Sequence, residues 1–155
     1  YYSYGNGTAP LNRVIAAHFD GNAWRETGVL VDAIPGHRLY NGGRIAIGPD
    51  GYLYVTTGWT ENRARPQDLS SLAGKVLRLA ISGDETREGM EPPFLHSGSA
   101  TWAPAGIALA GGELLLTALQ GRGLYVLDRA GRRLSPVFDT GERYRHVLPV
   151  DGDLY

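Results

Sequence analysis

The sequence predicts an all-β fold, and three observations support this prediction. The 155 residues include 22 glycines and 9 prolines, a composition typical of short strands joined by many turns. Apolar residues alternate with polar or small residues in one segment after another, and a period of two residues is the period of a β-strand. No segment carries a long helical period.

Predicted strands lie where such alternating segments are bounded by residues that favour turns. Glycine accepts positive φ, proline presets φ, and asparagine or aspartate bonds its own backbone, so these residues end strands. Outside the hairpin described next, the predicted strands are residues 1–4, 13–19, 27–34, 75–81, 106–110, 113–119, 123–128 and 134–138. Residues 60–71 and 82–99 are predicted as irregular connections, and residues 144–150 lead into a turn at Asp151-Gly152.

The clearest element is a hairpin within residues 42–58, GGRIAIGPDGYLYVTTG. Pro49, Asp50 and Gly51 provide the turn between its two strands. In the second strand the alternation places Leu53 and Val55 on one face of the sheet. The other face then holds Tyr52, Tyr54 and Thr56.

Composition excludes several classes of function. The formal net charge is −1, so no strong field points to nucleic acid or to an anionic membrane surface. There are no cysteines, so disulfides are excluded. No apolar run approaches the roughly 18 residues of a membrane-spanning helix. The four histidines lack the spacing of metal ligands, and neither a complete dinucleotide-binding motif nor a nucleophile elbow is present.

Two further motifs have a functional and a plain interpretation. Asn6-Gly7-Thr8 matches the glycosylation sequon, which occurs often by chance. Asp84, Glu85, Glu88 and Glu91 form an acidic loop, which is more typical of a solvated surface than of a calcium site. We therefore assign no metal ligand.

The hairpin phrase recurs, and the recurrence predicts the architecture. RIAIGPDGYLYVTT, GIALAGGELLLTAL and HVLPVDGDLY each read as strand, turn and strand. A period of roughly 40–50 residues, with about four short strands per unit, is typical of β-propeller blades. The predicted blades are residues 1–38, 39–99 and 100–141, with the start of a further blade at 142–155. An open antiparallel sandwich is the alternative. Both ends of the sequence suggest a segment of a longer protein, about three blades of a ring.

These residues also resemble a known family. NGGRIAIGPDGYLYVTTG followed by LAGKVLRL, and the later GERYRHVLPVDGDLY, are similar to the soluble glucose/sorbosone dehydrogenases. These aldose sugar dehydrogenases are six-bladed propellers that use pyrroloquinoline quinone (PQQ). The resemblance implies a partial propeller of this type, oxidation of an aldose at its C1 hydroxyl, PQQ as cofactor with calcium as a second expectation, and a periplasmic or secreted location.

The resemblance implies cofactor-binding residues. The family's RYR element supplies two arginines to the cofactor, and these map to Arg143 and Arg145. PQQ carries three carboxylates, and a guanidinium pairs with a carboxylate in a bidentate manner. The family often has a lysine in the region that is Gln120-Gly121-Arg122 here, so Arg122 and Gln120 are also candidates. The plain alternative for Arg143 and Arg145 is that both are solvated loop residues.

The catalytic positions depart from the family. Tyr40 stands where the family has its histidine base, and an unperturbed tyrosine, with a pKa of about 10, is a poor base near neutral pH. His37 is the alternative base, although its plain interpretation, a surface histidine beside Arg38 in a loop, is favoured. The family's supporting carboxylate is absent from Thr57-Gly58-Trp59, and Glu61 is the nearest replacement. Trp59 is a candidate to stack on the cofactor, with packing between blades as the equal alternative.

Two functions therefore stay open. The first is a PQQ-dependent sugar dehydrogenase. The second is a non-catalytic propeller segment, a degenerate homologue that serves as a binding or scaffold module. The family's HRNPQGL motif and its blade are missing between GKVLRL and WAPAGIAL, which favours the second function for this chain. Exposed strand edges also suggest a homodimer.

Overall fold

A computed structural model describes residues 1–5, 10–81, 94–96, 100–130 and 132–155 of the chain. Within these ranges the regular structure is β-strand, apart from one 3₁₀ turn at Arg65–Gln67. The sequon at Asn6-Gly7-Thr8 and the acidic residues 84, 85, 88 and 91 lie outside the described residues.

The strands follow one another along the chain, most of them with short connections. They are β1 (Tyr2–Tyr4), β2 (Leu11–Phe19), β3 (Trp24–Pro35), β4 (Gly42–Ile47), β5 (Leu53–Thr57), β6 (Val76–Leu79), β7 (Pro104–Ala110), β8 (Glu113–Ala118), β9 (Gly123–Asp128), β10 (Arg133–Phe138), β11 (Pro149–Val150) and β12 (Asp153–Leu154).

Neighbouring strands in sequence pair in antiparallel fashion and form separate sheets. Sheet 1 has the order β1-β2-β3, sheet 2 has β4-β5-β6, sheet 3 has β7-β8-β9-β10, and β11-β12 is a short hairpin. An isolated bridge between Val76 and Leu95 adds a pairing at the edge of sheet 2. Each sheet is thus a small antiparallel meander, which is the form of a propeller blade.

The predicted faces of the central hairpin are confirmed. Leu53 and Val55 pack with Val14 and Ile34 of sheet 1, whereas Tyr54 packs with the residues of sheet 3. All five residues of β5 are buried, because this strand is covered on both faces. In β8 the residues after Glu113 are also buried, and Leu114 and Leu116 face sheet 2.

The sheets therefore stack face to face along the chain. One apolar cluster joins sheets 1 and 2, and a second joins sheets 2 and 3. A third cluster, formed by Leu115, Leu124 and Val147, attaches the segment before β11 to sheet 3. Burying each sheet between its neighbours is how propeller blades obtain a core that one small sheet lacks.

The stack has two ends, and these are distinguishable by their connections. The turn end holds residues 20–23, 48–52, 111–112 and 129–130, and the 3.5 Å ion pair of Asp50 with Arg129 joins two of these turns. The opposite end, here the site end, holds residues 36–41, 58–74, 100–103, 119–122 and 139–145. All sequence-predicted site residues lie at the site end.

Some element boundaries differ from the prediction. The strand predicted at 27–34 begins at Trp24, because Trp24 pairs with Phe19 across the β2–β3 hairpin. The strand predicted at 75–81 ends at Leu79, the partner of the first residue of β5, so residues 80 and 81 have no ladder to join. The polar connection at 60–71 includes the 3₁₀ turn.

Candidate functional site

The connection between β3 and β4 carries two of the predicted catalytic residues and is closed by Asn41. The Asn41 side chain accepts a hydrogen bond from the His37 backbone N–H at 2.8 Å and donates one to the His37 carbonyl at 2.6 Å. Its oxygen also accepts a 3.3 Å bond from the side chain of buried Asn12 in sheet 1. The loop is therefore anchored to the neighbouring sheet.

Tyr1, the residue before β1, also binds the β3–β4 connection. The Tyr1 hydroxyl donates to the Asn41 carbonyl at 2.8 Å. Burial raises the pKa of Tyr1 to about 12, so the hydroxyl keeps its proton over the physiological range. Tyr1 and Asn41 were not among the sequence-predicted site residues.

His37 and Glu61, far apart in the sequence, meet at the site end. The His37 Nε2 atom lies 3.4 Å from the Glu61 carboxylate. The Nδ1 atom lies 3.2 Å from both the backbone nitrogen and the carbonyl oxygen of Leu39. Only 27% of the His37 side chain is exposed, so this histidine is an oriented, half-buried group rather than a free surface residue.

Tyr40 and Trp59 form an aromatic pair beside these residues. Their ring centroids are 5.6 Å apart, with an angle of 43° between the rings. Tyr40 is 52% exposed and has a φ of +59°, a conformation that non-glycine residues seldom adopt. The pair offers a partly open apolar surface, on which a planar ligand or a sugar ring could stack.

Gly58 makes this arrangement possible. Its N–H donates to the Asn41 carbonyl at 2.9 Å, and a Cβ atom at this position would lie 1.4 Å from the Tyr40 carbonyl oxygen. The two chain segments that carry Tyr40 and Trp59 therefore touch through their backbones. This backbone contact therefore requires glycine at position 58.

The connection after β5 carries Glu61 in a constrained conformation. Thr60 and Glu61 both have positive φ, at +57° and +55°. The Arg65 guanidinium donates to Thr60 Oγ1 at 3.0 Å. Lys75, at the start of β6, is 1% exposed and donates from Nζ to the carbonyl oxygens of Arg65 and Ala73, both at 2.8 Å. Neither Arg65 nor Lys75 was a sequence-predicted site residue.

A second group of predicted residues follows β8. The backbone N–H groups of Gln120 and Gly121 both donate to the Trp102 carbonyl at 3.0 Å. Trp102 itself is partly buried and packs against the core between sheets 2 and 3. The Gln120 and Arg122 side chains are exposed, and Arg122 donates to the Gly141 carbonyl at 3.4 Å.

Arg143 and Arg145 lie on the irregular segment that leads to β11. Both are exposed. The segment is seated on sheet 3 by Val147, which is buried against Leu115 and Leu124. It also passes close to Gly106, where a Cβ atom would lie 3.2 Å from the Arg145 carbonyl oxygen.

The two groups share an end of the molecule but make no direct contact. No hydrogen bond or ion pair within the described part of the chain joins His37, Tyr40, Trp59 or Glu61 to the arginines. Arg122, Arg143 and Arg145 also form no ion pair with a carboxylate there. The site end of the described chain thus presents three cations without acidic partners.

Other features of the surface do not add to this site. A shallow, open depression of about 520 Å³ lies at the turn end, lined by residues such as Glu113, Arg129 and Pro136. In the ranges that the structure describes, no cluster of three or more histidine or acidic side chains is arranged to hold a metal ion. The same ranges contain no helix long and apolar enough to cross a membrane.

Comparison with known proteins agrees with the sequence resemblance. A family model described as glucose/sorbosone dehydrogenase matches residues 1–100 of this chain. These residues contain sheets 1 and 2 and the His37, Tyr40, Trp59 and Glu61 group. Arg122, Arg143 and Arg145 lie beyond the match.

Solved structures with the same fold include two bacterial enzymes. A glucose dehydrogenase-type oxidoreductase from Thermus thermophilus is 24% identical, with a TM-score of 0.52 over 94% of this chain and 68% of that one. The PQQ-bound aldose sugar dehydrogenase from Streptomyces coelicolor is 20% identical, with a TM-score of 0.53 over 98% of this chain and 66% of that one. The all-β, partial propeller fold is confirmed, and the chain spans about two thirds of the length of these structures.

Proposed function

Because the chain belongs to the glucose/sorbosone dehydrogenase family, we propose that it is a PQQ-dependent sugar dehydrogenase-like protein that oxidises the C1 hydroxyl of an aldose. One observation carries the proposal. The 3.4 Å pair of His37 and Glu61 lies at the same end of the sheets as Arg122, Arg143 and Arg145, which lack acidic partners among the described residues. A proton acceptor and anion-binding groups are thus available together.

The arginines are proposed to hold the cofactor. Arg143 and Arg145 would pair with carboxylate and quinone oxygens, and Arg122 and Gln120 would contribute from the connection after β8. Trp59, stacked on Tyr40, would provide an apolar face for the planar rings. Bound PQQ supplies a quinone that accepts two electrons from the sugar.

His37 is proposed as the base that takes the proton of the C1 hydroxyl. The base is the tautomer in which Nδ1 donates to the Leu39 carbonyl at 3.2 Å, instead of accepting from the Leu39 N–H at the same distance, because Nε2 then has a free lone pair. The proton that Nε2 accepts then produces an imidazolium beside the Glu61 carboxylate, which stabilises the positive charge. Glu61 thereby takes the supporting role that the Thr57-Gly58-Trp59 sequence lacks.

The second candidate function is a non-catalytic propeller segment that binds a ligand or serves as a scaffold. Tyr40 favours it, because a tyrosine occupies the family's base position and its exposed ring stacks on Trp59. An aromatic pair of this kind binds a planar ligand without any proton transfer.

Two double variants, each of which removes two positive charges, test cofactor binding. We expect PQQ, titrated by calorimetry with and without calcium, to bind the native chain, and Arg143→Ala/Arg145→Ala to weaken binding by about 100-fold or more. Arg25→Ala/Arg133→Ala is the matched control, since both arginines lie near the turn end, where they pair with Asp20 and Asp128. A folded native chain that does not bind PQQ would leave the non-catalytic function.

The two candidate bases are separated by sugar-dependent dye reduction with PQQ present. His37→Gln should lower kcat by about 100-fold, with little change in PQQ affinity. Tyr40→Phe should keep most of the activity. The opposite result would make Tyr40 the base and remove His37 from the mechanism.

The same proposal extends to features that family membership suggests. The predicted blades, residues 1–38, 39–99 and 100–141 with a start of another at 142–155, are proposed as the units of the ring. Calcium is proposed as an accessory ion without assigned ligands, and the periplasm or the cell exterior as the location.

A further inference from the structure

Lys75 is the one lysine that the chain contains, and it is buried. Its ammonium group donates to two carbonyl oxygens, those of Arg65 and Ala73. Within the described residues no carboxylate lies within ion-pair distance of it. Burial lowers the pKa of Lys75, and attraction to the Asp68 carboxylate offsets this only in part. An apolar side chain would avoid this cost, so the specific contacts of the ammonium need a reason.

Both carbonyl partners belong to the connection of residues 58–74 between β5 and β6. The start of that connection is tied to its end by the Gly74 N–H, which donates to the Gly58 carbonyl at 2.8 Å. Thr57 Oγ1 donates to the Leu72 carbonyl at 2.6 Å and accepts from the Lys75 N–H at 2.9 Å. Lys75 Nζ reaches across this closed loop to the 3₁₀ turn at Arg65–Gln67.

From the 3₁₀ turn the contacts continue to the candidate base. Arg65, whose carbonyl accepts from Lys75, donates through its guanidinium to Thr60 Oγ1 at 3.0 Å. Thr60 is 7% exposed and precedes Glu61, and both residues have positive φ. Such a conformation is strained and persists only where the surroundings hold it.

Glu61 cannot hold its own position. Its side chain is 49% exposed, and its partner among the described residues is the His37 imidazole at 3.4 Å. The direction of the carboxylate therefore depends on the backbone at Thr60 and Glu61, which Arg65 and Lys75 support. We propose that Lys75 is a positioning residue, whose buried ammonium group fixes residues 58–74 so that the Glu61 carboxylate stays beside His37.

This inference deepens the proposed function, because it rests on the same His37–Glu61 pair. Its test reads the imidazole directly and needs neither PQQ nor turnover. Failure of PQQ binding would therefore contradict the proposed function and leave the positioning role intact, whereas an unchanged imidazole would contradict the positioning role alone.

The experiment records long-range ¹H–¹⁵N spectra of the histidine rings in the full chain. His37→Gln assigns the His37 cross-peaks among those of the four histidines, and Glu61→Gln shows their position when the carboxylate is lost. Lys75→Met keeps the length of the side chain and removes the ammonium group. We expect it to move the His37 cross-peaks in the same direction as Glu61→Gln, by at least about half as much. Adding Lys75→Met to Glu61→Gln should move them little further.

Arg78→Met is the matched control. It removes a cation from β6, the strand that follows Lys75, but one that pairs with Asp50 at the turn end. It should leave the His37 cross-peaks in place. A folded Lys75→Met chain with unmoved His37 cross-peaks would show that Lys75 serves stability alone.

A second variant applies if Lys75→Met does not fold. Thr60→Val keeps the side-chain shape and removes the acceptor of the Arg65 guanidinium. The positioning role predicts the same displacement of the His37 cross-peaks. Unmoved cross-peaks in Thr60→Val would break the link between Lys75 and Glu61, and the inference with it.

Discussion

At the scale of single residues, Gly58 determines whether the candidate site can form. A side chain at this position has no space, because its Cβ would overlap the Tyr40 carbonyl oxygen. The obstacle is backbone, which cannot move aside as the end of a flexible side chain could. Relief would require the β3–β4 connection, with His37 and Tyr40, to move away from β5.

Gly58→Ala should therefore destabilise the fold by about 3 kcal/mol or more. The free energy of unfolding, measured by urea titration, checks this value. Gly28→Ala is the matched control, since a Cβ at residue 28 meets nothing within 4 Å and needs no positive φ. A Gly58→Ala chain with native stability would mean that the two segments are not in backbone contact.

The sequence predicted some site residues and missed others for a physical reason. His37 and Glu61 were expected as the replacement base and carboxylate, and the structure places them together. Their roles, and those of Tyr40, Trp59, Gln120, Arg122, Arg143 and Arg145, stay predictions. Lys75 was missed because a lysine at the start of a predicted alternating strand is normally solvated. Its burial depends on contacts with the carbonyl oxygens of Arg65 and Ala73, which no sequence pattern indicates.

At the scale of elements, the β4–β5 turn is held by charge as well as by turn residues. Asp50 accepts a 2.8 Å hydrogen bond from the Tyr54 hydroxyl and forms a 3.1 Å ion pair with Arg78. Arg78 also lies over the Tyr52 ring, 3.3 Å from its centroid. Burial alone would raise the pKa of Asp50, but the hydrogen bonds from Tyr54 and Arg78 bring it below its ordinary value.

Asp50→Asn should cost about 1–3 kcal/mol at neutral pH, because it removes the charge that Arg78 and Arg129 face. The native advantage is present above the ordinary pKa of 3.8 and disappears as the pH falls through the lower folded-state pKa. Urea titrations of both chains at neutral pH and in acid should therefore converge in acid. Asp20→Asn, at an exposed hairpin tip, should cost clearly less, because solvent screens its ion pair with Arg25. A gap between the native and Asp50→Asn chains that does not change with pH would exclude the charge as the cause.

Element prediction succeeded where alternation is strong and tertiary contacts add little. The strands β2, β5, β8 and β9 follow their sequence patterns closely. The 3₁₀ turn was missed because it depends on packing of Pro66 against Gly74. Before β11 the chain is irregular up to residue 148, since its position is set by burial of Val147 rather than by strand pairing.

At the scale of the molecule, apolar side chains stay uncovered at two places along the stack of sheets. Ile45 and Ile47, on the edge strand β4 of sheet 2, are 46% and 55% exposed. Beyond sheet 3, Leu148 is 52% exposed. We propose that two copies join so that each covers one of these places on the other, as a closed two-fold assembly permits.

Light scattering should then give a dimer mass for the native chain at micromolar concentration. Ile47→Lys and Leu148→Lys should each give the monomer, since each puts a charge into the same repeated contact. Ile81→Lys, at an exposed position just after β6, should leave the mass unchanged. A monomeric native chain would remove the homodimer.

The repeated hairpin phrase was enough to predict propeller-like sheets, because each sheet needs the same apolar faces to stack on its neighbours. It could not show which ends of the sheets approach one another. That information lies in single contacts such as the pair of Asp50 and Arg129, which no periodicity encodes.

The backbone contact at Gly58 also constrains the main chain at residue 40, but not the identity of its side chain. The positive φ of Tyr40 is set by the approach of two main chains, and histidine tolerates that conformation better than most residues. Tyr40→His would therefore change the acid–base chemistry of the side chain without changing the backbone conformation. The same backbone can therefore present at residue 40 either a ring that only stacks or a ring that also binds a proton.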